Sequence, residues 1–442
     1  MIRVAWIAAV CVGCAGGEGP SGSDGTTWHG AVAPVMADRC GDCHYAGGPG
    51  PFDARDLEQV RSWAPAILDA IANERMPPFA ARITDECQPD VWFKDDGRLM
   101  DDERALIEGW VAADMPEGKA RDALPVPERK VLELEDPDVV LGFQEDFSIG
   151  GDQDVYQCFR VEVPADGDRW ITGMQVIPGN EKVVHHVLVW SDPNDQSLAR
   201  GGDDGTYRCS GEPDVWPTEL IGTWTPGGSP MVTPTGTGVT LRNGSSIVVN
   251  VHYHPTGTST EIDNTQIALK WTSERPDQFA TWYLVDLPFG AEADTAPFQI
   301  PAGAEAHVED VVLTNPLPFD VPIFAVAPHM HYLGEGMKVT LESGSDETCL
   351  VHAPKYRFDF QQSYFYDAPI SGLPVLRFGD RVRVRCTYNN SMSNPYMPLA
   401  LDASGSDAPV TVGWGEETAD EMCMAMAGLV SPVEIIDLLE LL

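Results

Sequence analysis

Residues Ser246 to His254 read SIVVNVHYH, and this stretch decides the fold class of most of the chain. In an extended chain, side chains two positions apart lie on the same face. One face therefore carries Ile247 and Val251, whereas the other carries His252 and His254. This alternation predicts a β-strand that presents two imidazoles side by side.

Two later stretches show the same period of two. Phe324 to Leu333 reads FAVAPHMHYL, and Arg381 to Tyr388 reads RVRVRCTY, with arginines alternating with apolar residues. Few segments in this part of the chain have the period of a helix. The sequence therefore predicts an all-β region made of two antiparallel β-sandwich, jelly-roll-like domains, spanning residues 136–280 and 281–442.

A different pattern lies near the N-terminus. Residues Cys40 to His44 read CGDCH, the spacing at which two thiols bind the vinyl groups of a haem and the next histidine binds its iron. A CxxC pair can instead bind zinc or exchange disulfides, and these are the alternatives. A helix is predicted downstream, because apolar residues recur three and four positions apart at Leu57, Val60, Ala64, Ile67 and Ile71.

A methionine follows this helix in the stretch Arg75-Met76-Pro77-Pro78, where the prolines end the helix and hold the loop extended. The order of CxxCH, helix, distal methionine and final helix resembles class I cytochromes c. The resemblance implies a small all-α domain over residues 28–118, followed by a linker at 119–135. The implied ligands of its one covalent haem c are Cys40, Cys43, His44 and Met76. Met36 and Met100 are rival axial ligands.

The first fourteen residues, MIRVAWIAAVCVGC, predict export from the cytoplasm. A short apolar run follows Arg3 and ends in a pattern like a bacterial lipobox, with Cys14 as the lipidated residue. Cys11 is a poorer candidate, and an ordinary cleaved signal peptide is the alternative. Residues 15–27 are expected to form a flexible tether. We therefore expect a lipoprotein on a bacterial membrane, facing the periplasm or the cell surface.

The charge of the chain limits its partners. Acidic residues outnumber basic ones by 68 to 28, for a formal net charge of −40. Such a surface repels nucleic acid phosphates and anionic lipid headgroups. The charge excludes nucleic acid as a partner and leaves the lipid anchor as the only expected contact with a membrane.

Histidines are concentrated in three tight pairs. These pairs are His185-His186, His252/His254 and His329/His331. Neutral imidazoles are good ligands for copper or zinc. Adjacent residues of a regular strand point to opposite faces, so the first pair can share one ion only where the strand bulges or ends.

Four motifs then follow one another in a recognisable order. They are Val184-His185-His186, Val251-His252-Tyr253, His329-Met330-His331 and Asp420-Glu421-Met422-Cys423. Over roughly residues 140–430 this order resembles the copper type II, ascorbate-dependent monooxygenases, the family of the peptidylglycine α-hydroxylating and dopamine β-monooxygenases. The ligands that the resemblance implies for an electron-transfer copper are His185, His186 and His252. Those that it implies for a catalytic, oxygen-binding copper are His329, His331 and Met422.

The cysteines add to the resemblance, whereas one alanine departs from it. It implies the disulfides Cys158–Cys209 and Cys386–Cys423. Cys87 and Cys349 are left over, and either they join the cytochrome to the second sandwich or they are free or separately paired thiols.

Ala327 stands where peptidylglycine enzymes carry an arginine that holds the substrate carboxylate, so a C-terminal glycine peptide is not the expected substrate. His254 has no ligand role and is expected beside the site or on the surface.

These features predict a copper-dependent monooxygenase that hydroxylates a C–H bond of a small organic substrate with O₂. The fused haem is expected to relay electrons from an external donor, which is either a carrier protein or a small reductant. One alternative is a non-enzymatic copper/haem electron-transfer or copper-binding surface lipoprotein. The other is a secreted hydrolase or binding module that uses the histidines for zinc.

Overall fold

The computed structural model describes residues 26–129, 133–202, 204–294 and 297–439. The predicted leader with Cys14, and most of the predicted tether, lie outside these residues. The chain divides into two compact units. The helical unit contains residues 26–71 and 99–129, and the β unit contains the described residues of 72–98 and 133–439. No helix in the described part of the chain is long and apolar enough to cross a membrane.

The helical unit is built on one small apolar core. A π-helical turn, Trp28–Val32, is followed by the helices α1 Ala33–Arg39, α2 Leu57–Ala72 and α3 Asp101–Ala112. Of the side chains of α2 that the spacing places on one face, Val60, Ala64, Ile67 and Ile71 are buried and Leu57 is partly buried. Trp110 of α3 packs against Trp28, with ring centroids 5.8 Å apart. That this unit is a cytochrome c-like domain stays a prediction.

Residues 72–98 connect α2 with α3 in sequence but pack within the β unit. Cys87 forms a disulfide with Cys349, and the Arg82 N–H donates to the His352 carbonyl at 2.8 Å. An aromatic cluster adds to these contacts and consists of Phe79, Trp92, Phe93, Tyr364 and Tyr366. The two leftover cysteines are thus partners of each other.

The first sandwich follows, and all of its strand pairs are antiparallel. One sheet has the order β1-β12-β4-β8 with β9 beside β4, the other has the order β6-β3-β10-β5-β7, and β11 pairs with β2. The strands are β1 Val139–Gly142, β2 Phe147–Ile149, β3 Val155–Glu162, β4 Arg169–Ile177, β5 Val184–Asp192, β6 Thr206–Arg208, β7 Glu219–Trp224, β8 Met231–Val232, β9 Val239–Leu241, β10 Ser246–Tyr253, β11 Glu261–Asp263 and β12 Gln266–Thr272. A short helix, α4 Ser197–Arg200, follows β5.

The second sandwich repeats this design. Its sheets have the orders β13-β24-β17-β20, with β21 beside β17, and β14-β16-β22-β18-β19, and β15 pairs with β23. The strands are β13 Phe279–Val285, β14 Glu292–Ala293, β15 Gln299–Ile300, β16 His307–Thr314, β17 Val321–His329, β18 Gly334–Ser343, β19 Asp346–Ala353, β20 Tyr364–Phe365, β21 Val375–Leu376, β22 Arg381–Tyr388, β23 Val412–Gly413 and β24 Met424–Ser431. Two helices, α5 Met397–Ser404 and α6 Ile435–Leu439, complete it.

The prediction of an all-β region with sandwich architecture is confirmed, and one strand boundary was wrong. The strand predicted to run to Leu333 ends at His329. The reason is that the N–H groups of His331 and Leu333 donate to the carboxylate of Glu421 instead of to a neighbouring strand. The buried carboxylate of Glu421 thus takes the place of the inter-strand hydrogen bonds at this point.

Candidate metal centres

Three histidines of the first sandwich meet where two neighbouring strands come together. His185 and His186 lie near the start of β5, and His252 lies near the end of β10. Nitrogens of the three rings lie within 4.8 Å of one another. We call this group the three-histidine cluster.

A β-bulge allows two adjacent histidines to join this cluster. In the ladder between β5 and β10, His252 pairs with His186 and Tyr253 pairs with Val184, so His185 is the extra residue. An extra residue interrupts the alternation that would send neighbouring side chains to opposite faces. The structure thus meets the condition under which both imidazoles can share one ion.

The three-histidine cluster has the chemistry of a metal site. Both ring nitrogens of His185 and both of His252 are buried without a hydrogen-bond partner. Burial lowers the pKa of His185 and of His186 well below the usual value, and the proximity of the His252 ring lowers both further. Neutral rings with unused lone pairs are what a metal ion requires of histidine. Three imidazole nitrogens fit copper.

Asp154 supports this cluster from its outer side. One carboxylate oxygen lies 3.0 Å from His252 Nε2, out of hydrogen-bonding alignment, and the other lies 2.7 Å from His254 Nδ1. Burial raises the pKa of Asp154, but its interactions with the two histidines outweigh burial and hold the pKa below its usual range. Tyr156 stacks on His252, with ring centroids 4.2 Å apart. His254 is therefore a partner of the supporting carboxylate.

The other predicted ligands come together in the second sandwich. His329 is the last residue of β17, His331 lies in the turn that follows, and Met422 lies two residues before β24. The imidazole centroids lie 5.2 Å apart, and all three side chains line one cavity. We call this group the histidine–methionine cluster.

Both imidazoles of the histidine–methionine cluster are held through Nδ1. His329 Nδ1 contacts the amide oxygen of Gln361, and His331 Nδ1 lies 3.1 Å from the Asp420 carbonyl oxygen. Because these oxygens only accept, Nδ1 carries the proton and Nε2 keeps its lone pair. Burial lowers the pKa of His329 to about 4 and that of His331 to about 3. Two neutral imidazoles and a thioether fit Cu(I).

Glu421 ties together the two chain segments that carry this cluster. Its buried carboxylate accepts from the N–H groups of His331 at 3.0 Å, Leu333 at 2.6 Å and Met422 at 3.2 Å. Burial raises the pKa of Glu421 and the backbone hydrogen bonds partly offset this rise, which leaves the pKa at about 8. The sequence offered one signal for this residue, its place inside the last of the four motifs.

The backbone beside Met422 is fixed by further contacts. Its carbonyl accepts from the Tyr388 hydroxyl at 2.6 Å, and the next residue, Cys423, forms a disulfide with Cys386. A methionine side chain is flexible, so a fixed backbone limits the positions that its sulfur can take. A further disulfide, Cys158–Cys209, lies in the first sandwich.

A short loop between β19 and β20 contacts both clusters, and the sequence analysis missed it. The Tyr356 hydroxyl bonds both the N–H and the carbonyl of Met330, which lies between the two histidines. Phe358 stacks on His185 with ring centroids 4.8 Å apart, and Gln361 holds His329. These residues belong to no local motif, so no sequence signal marked them.

The two clusters face one cavity in the β unit, which we call the central cavity. The rings of His186 and His329 are 6.4 Å apart, centroid to centroid. The cavity holds about 890 Å³ of empty space when the open solvent at its mouth is included. Ala327 lies in its wall.

The CxxCH residues lie in the helical unit. Cys40 and Cys43 form no disulfide, although cysteines elsewhere in the described chain are paired. The His44 ring packs on Phe52 with centroids 4.3 Å apart, and its buried Nδ1 has no hydrogen-bond partner. Burial lowers the pKa of His44, so the ring is neutral. These features fit two thioether-forming cysteines and an imidazole that ligates iron.

The candidate axial methionines differ in surroundings. Met36 is fully buried in the apolar core of the helical unit, which is the position of an ordinary packing residue. Met100 lies directly before α3, where its N–H donates to Glu103. Met76 is half-buried and belongs to the β unit. The ligand role of Met76 stays a prediction.

Comparison with known proteins points to one family. The N-terminal domain of the copper type II ascorbate-dependent monooxygenases matches residues 143–259, a span that contains the three-histidine cluster. The match supports a copper-dependent oxidoreductase of the monooxygenase kind. The chain has no match among curated proteins.

Solved structures show only weak similarity. The major capsid protein P2 of bacteriophage PM2 is 9% identical over 66% of this chain and 97% of its own, with a TM-score of 0.29. An allantoicase is 12% identical over 53% of this chain and 77% of its own, with a TM-score of 0.16. Similarities this low carry no information about function.

Proposed function

We propose that the chain is a copper-dependent monooxygenase that hydroxylates a C–H bond of a small organic substrate with O₂. The observation that supports this most is the pair of dissimilar clusters facing one cavity. The three-histidine cluster would hold one copper through three nitrogens. The histidine–methionine cluster would hold the other and serve catalysis.

The chain's own residues prepare this reaction in distinct ways. Two copper ions, when bound, supply the two electrons that reduce O₂ as one oxygen atom enters the C–H bond and the other leaves as water with two protons. Gln361 and the Asp420 carbonyl orient the imidazoles of the catalytic cluster, and Met422 adds a soft donor that favours the reduced metal. The walls of the central cavity hold the substrate beside these ligands and limit access of water.

The helical unit is proposed to supply the electrons. In this scheme Cys40 and Cys43 bind one haem c covalently, and His44 and Met76 ligate its iron. Such a haem stores one electron, so it acts twice in each turnover and is reduced again by a carrier protein or a small reductant. Electrons would enter at the three-histidine cluster, because the other cluster must accept O₂ and substrate.

The proposed location is outside the cytoplasm, with Cys14 anchoring the chain by lipid to a bacterial membrane. Covalent haem attachment and the paired cysteines are typical of exported proteins. A non-enzymatic electron-transfer role is the rival function, and the presence of a cavity lined by His329, His331 and Met422 favours the enzyme instead.

Metal and haem analysis of the exported full-length protein tests the proposal. We expect one covalent haem and two copper ions per chain, with EPR spectra typical of two type 2 sites. Zinc in place of copper, or a single copper ion, would reject the two-site monooxygenase. Met76→Ala should keep the haem but lower its reduction potential, and an unchanged potential would remove Met76 from the scheme.

A further inference from the structure

A second cavity lies in the β unit, and we call it the basic cavity. Its lining comes from the neighbouring strands β22, β18 and β19, from the loop after β19 and from the segment 72–98. It holds about 2030 Å³ of empty space when the open solvent at its mouth is included, more than the central cavity by the same measure. Among the described residues, none lines both cavities. Neither the resemblance nor the family match assigns this cavity a ligand.

Positive charge is concentrated in the basic cavity, although the chain as a whole is strongly acidic. Of only 28 lysines and arginines in a chain of net charge −40, five line this cavity. They are Arg75, Lys338, Lys355, Arg357 and Arg385. Among the described residues, the same lining contains three carboxylates, those of Glu74, Glu86 and Glu335. Five cations against three carboxylates leave an excess of two positive charges.

Two of these cations stand side by side on the sheet. Lys338 and Arg385 are directly opposite each other in the ladder between β18 and β22, a position in which like charges are destabilising. Arg385 is compensated by Asp310, whose carboxylate accepts from Nε at 2.9 Å and from a terminal nitrogen at 3.0 Å. Lys338 is largely buried, and its ion-pair partner Glu347 is 3.6 Å away, beyond hydrogen-bond distance. An anion above this pair would relieve the repulsion.

The loop after β19 adds two more cations at the edge of the sheet. Lys355 lies 3.1 Å from Glu74, which joins this loop to the segment 72–98. One terminal nitrogen of Arg357 donates to Asp359 at 2.7 Å, whereas its Nε is buried with no hydrogen-bond partner. A buried donor without an acceptor is costly, so an anion that reaches this guanidinium is favoured.

The walls of the basic cavity are fixed to one another. The disulfide Cys87–Cys349 and the hydrogen bond from the Arg82 N–H to the His352 carbonyl hold the segment 72–98 against β19. His352 also lines the cavity, and burial lowers its pKa, so its ring adds no charge. Cations held on a sheet and on a tethered loop are arranged before any ligand arrives, which reduces the cost of binding.

We propose that the basic cavity binds a phosphate dianion, either free or as the phosphate group of a small monoester. The cations approach from the sheet and from the loop, and a tetrahedral group presents oxygens in several directions, whereas a carboxylate presents two in one plane. Lysine binds phosphate as a point charge and arginine through its donors. The dianion also balances the excess of two positive charges. This site is separate from the proposed oxygenase reaction and does not depend on it.

Calorimetry on the copper-loaded full-length protein tests the ligand class. The probes are inorganic phosphate, phenyl phosphate and succinate, at constant ionic strength and near pH 8, where phosphate is largely a dianion. We expect inorganic phosphate or phenyl phosphate to bind about ten-fold or more tightly than succinate. The tighter of the two phosphates identifies the source, a free ion or a monoester. Succinate binding as tightly as both would overturn the proposal.

Substitutions in the sheet and in the loop locate the binding. Lys338→Gln and Arg357→Gln should each weaken phosphate about ten-fold. Arg200→Gln is the matched control, because it removes an exposed arginine, paired with Asp214 at 3.5 Å, from outside the cavity and should change nothing. Thermal unfolding without phosphate shows that the variants are folded, and because the two positions lie in different elements, either one suffices. Unchanged phosphate affinity in a folded cavity variant would refute the site.

Copper is the nearest rival binding place for phosphate. We expect phosphate to leave the copper EPR spectrum unchanged and to bind the copper-depleted protein with the same affinity. Binding that disappears with the copper, together with a spectrum that changes as phosphate saturates, would place the anion on the metal and reject the basic cavity. Since the copper-depleted arm needs no copper, a failure of the proposed function leaves this result readable.

Discussion

The three-histidine cluster and the histidine–methionine cluster differ in how the chain holds their side chains. The first stands on β5 and β10, neighbouring strands at the centre of one sheet. His186 and His252 pair with each other in the ladder, and His185 is the bulge residue beside them. The second is drawn from a strand end, a turn and the approach to another strand. It is kept in place by side-chain contacts from Gln361 and Glu421.

This difference suggests a division of roles. A ladder of backbone hydrogen bonds holds ligands in one geometry, which favours repeated electron transfer with little rearrangement. Ligands in turns, held by individual side chains and bordering a cavity, leave room for O₂ and substrate. The two clusters also differ in their ring nitrogens: Nδ1 is occupied in His329 and His331, whereas Nδ1 of His185 and of His252 has no hydrogen-bond partner.

The largest expected effect comes from removing one ligand from each cluster. Met422→Ala should reduce hydroxylation below about one-hundredth of the parental rate and leave the copper of the three-histidine cluster bound, because the two donor sets share no residue. His185→Ala should release the other copper instead. Copper content and EPR of both variants decide this. Loss of the same ion from both would mean that the clusters form one site.

Glu421 tests whether the second cluster depends on side-chain contacts. Glu421→Ala leaves three buried N–H groups without an acceptor and should lower the free energy of unfolding by roughly 3 to 5 kcal/mol. Glu421→Gln keeps one acceptor oxygen and should lose less. Urea unfolding measures both, and equal stability of parent and Glu421→Ala would show that the turn is held in another way.

Gln361 tests the orientation of one imidazole. Gln361→Leu removes the acceptor of His329 Nδ1 and should weaken copper binding at the histidine–methionine cluster about ten-fold or more, with no change at the three-histidine cluster. Gln362→Leu is the control, since its buried amide oxygen has no partner to lose. Competition with a chelator gives the affinities, and similar values for both variants would contradict the assignment.

The smallest effect is expected where the second sandwich touches the three-histidine cluster. Phe358→Leu removes the ring stacked on His185 and should weaken copper there about two- to ten-fold, as for loss of one aromatic pair. Phe360→Leu, two residues further on, should have no effect. If Phe358→Leu instead weakened the histidine–methionine site, the loop would act mainly through Gln361.

Much of this protein could be predicted from local patterns. Period-two alternation predicted the strands that carry His252 and His329, because neighbouring positions in an extended chain face opposite ways whatever their tertiary contacts. The histidines two positions apart indicated metal sites because the same alternation places both imidazoles on one face of a strand. The need for a bulge at His185 also followed from strand geometry alone.

The rest depended on residues far apart in sequence. Glu421 ends the strand at His329 by accepting N–H groups about ninety positions away. Local strand propensity does not show that a distant carboxylate would bind these N–H groups in place of a neighbouring strand. The partnership of Cys87 with Cys349 depends likewise on long-range packing. The sequence by itself determined the strands and the candidate ligands. Only the tertiary structure decided which buried groups support them, because burial and convergence exist only once distant segments pack together.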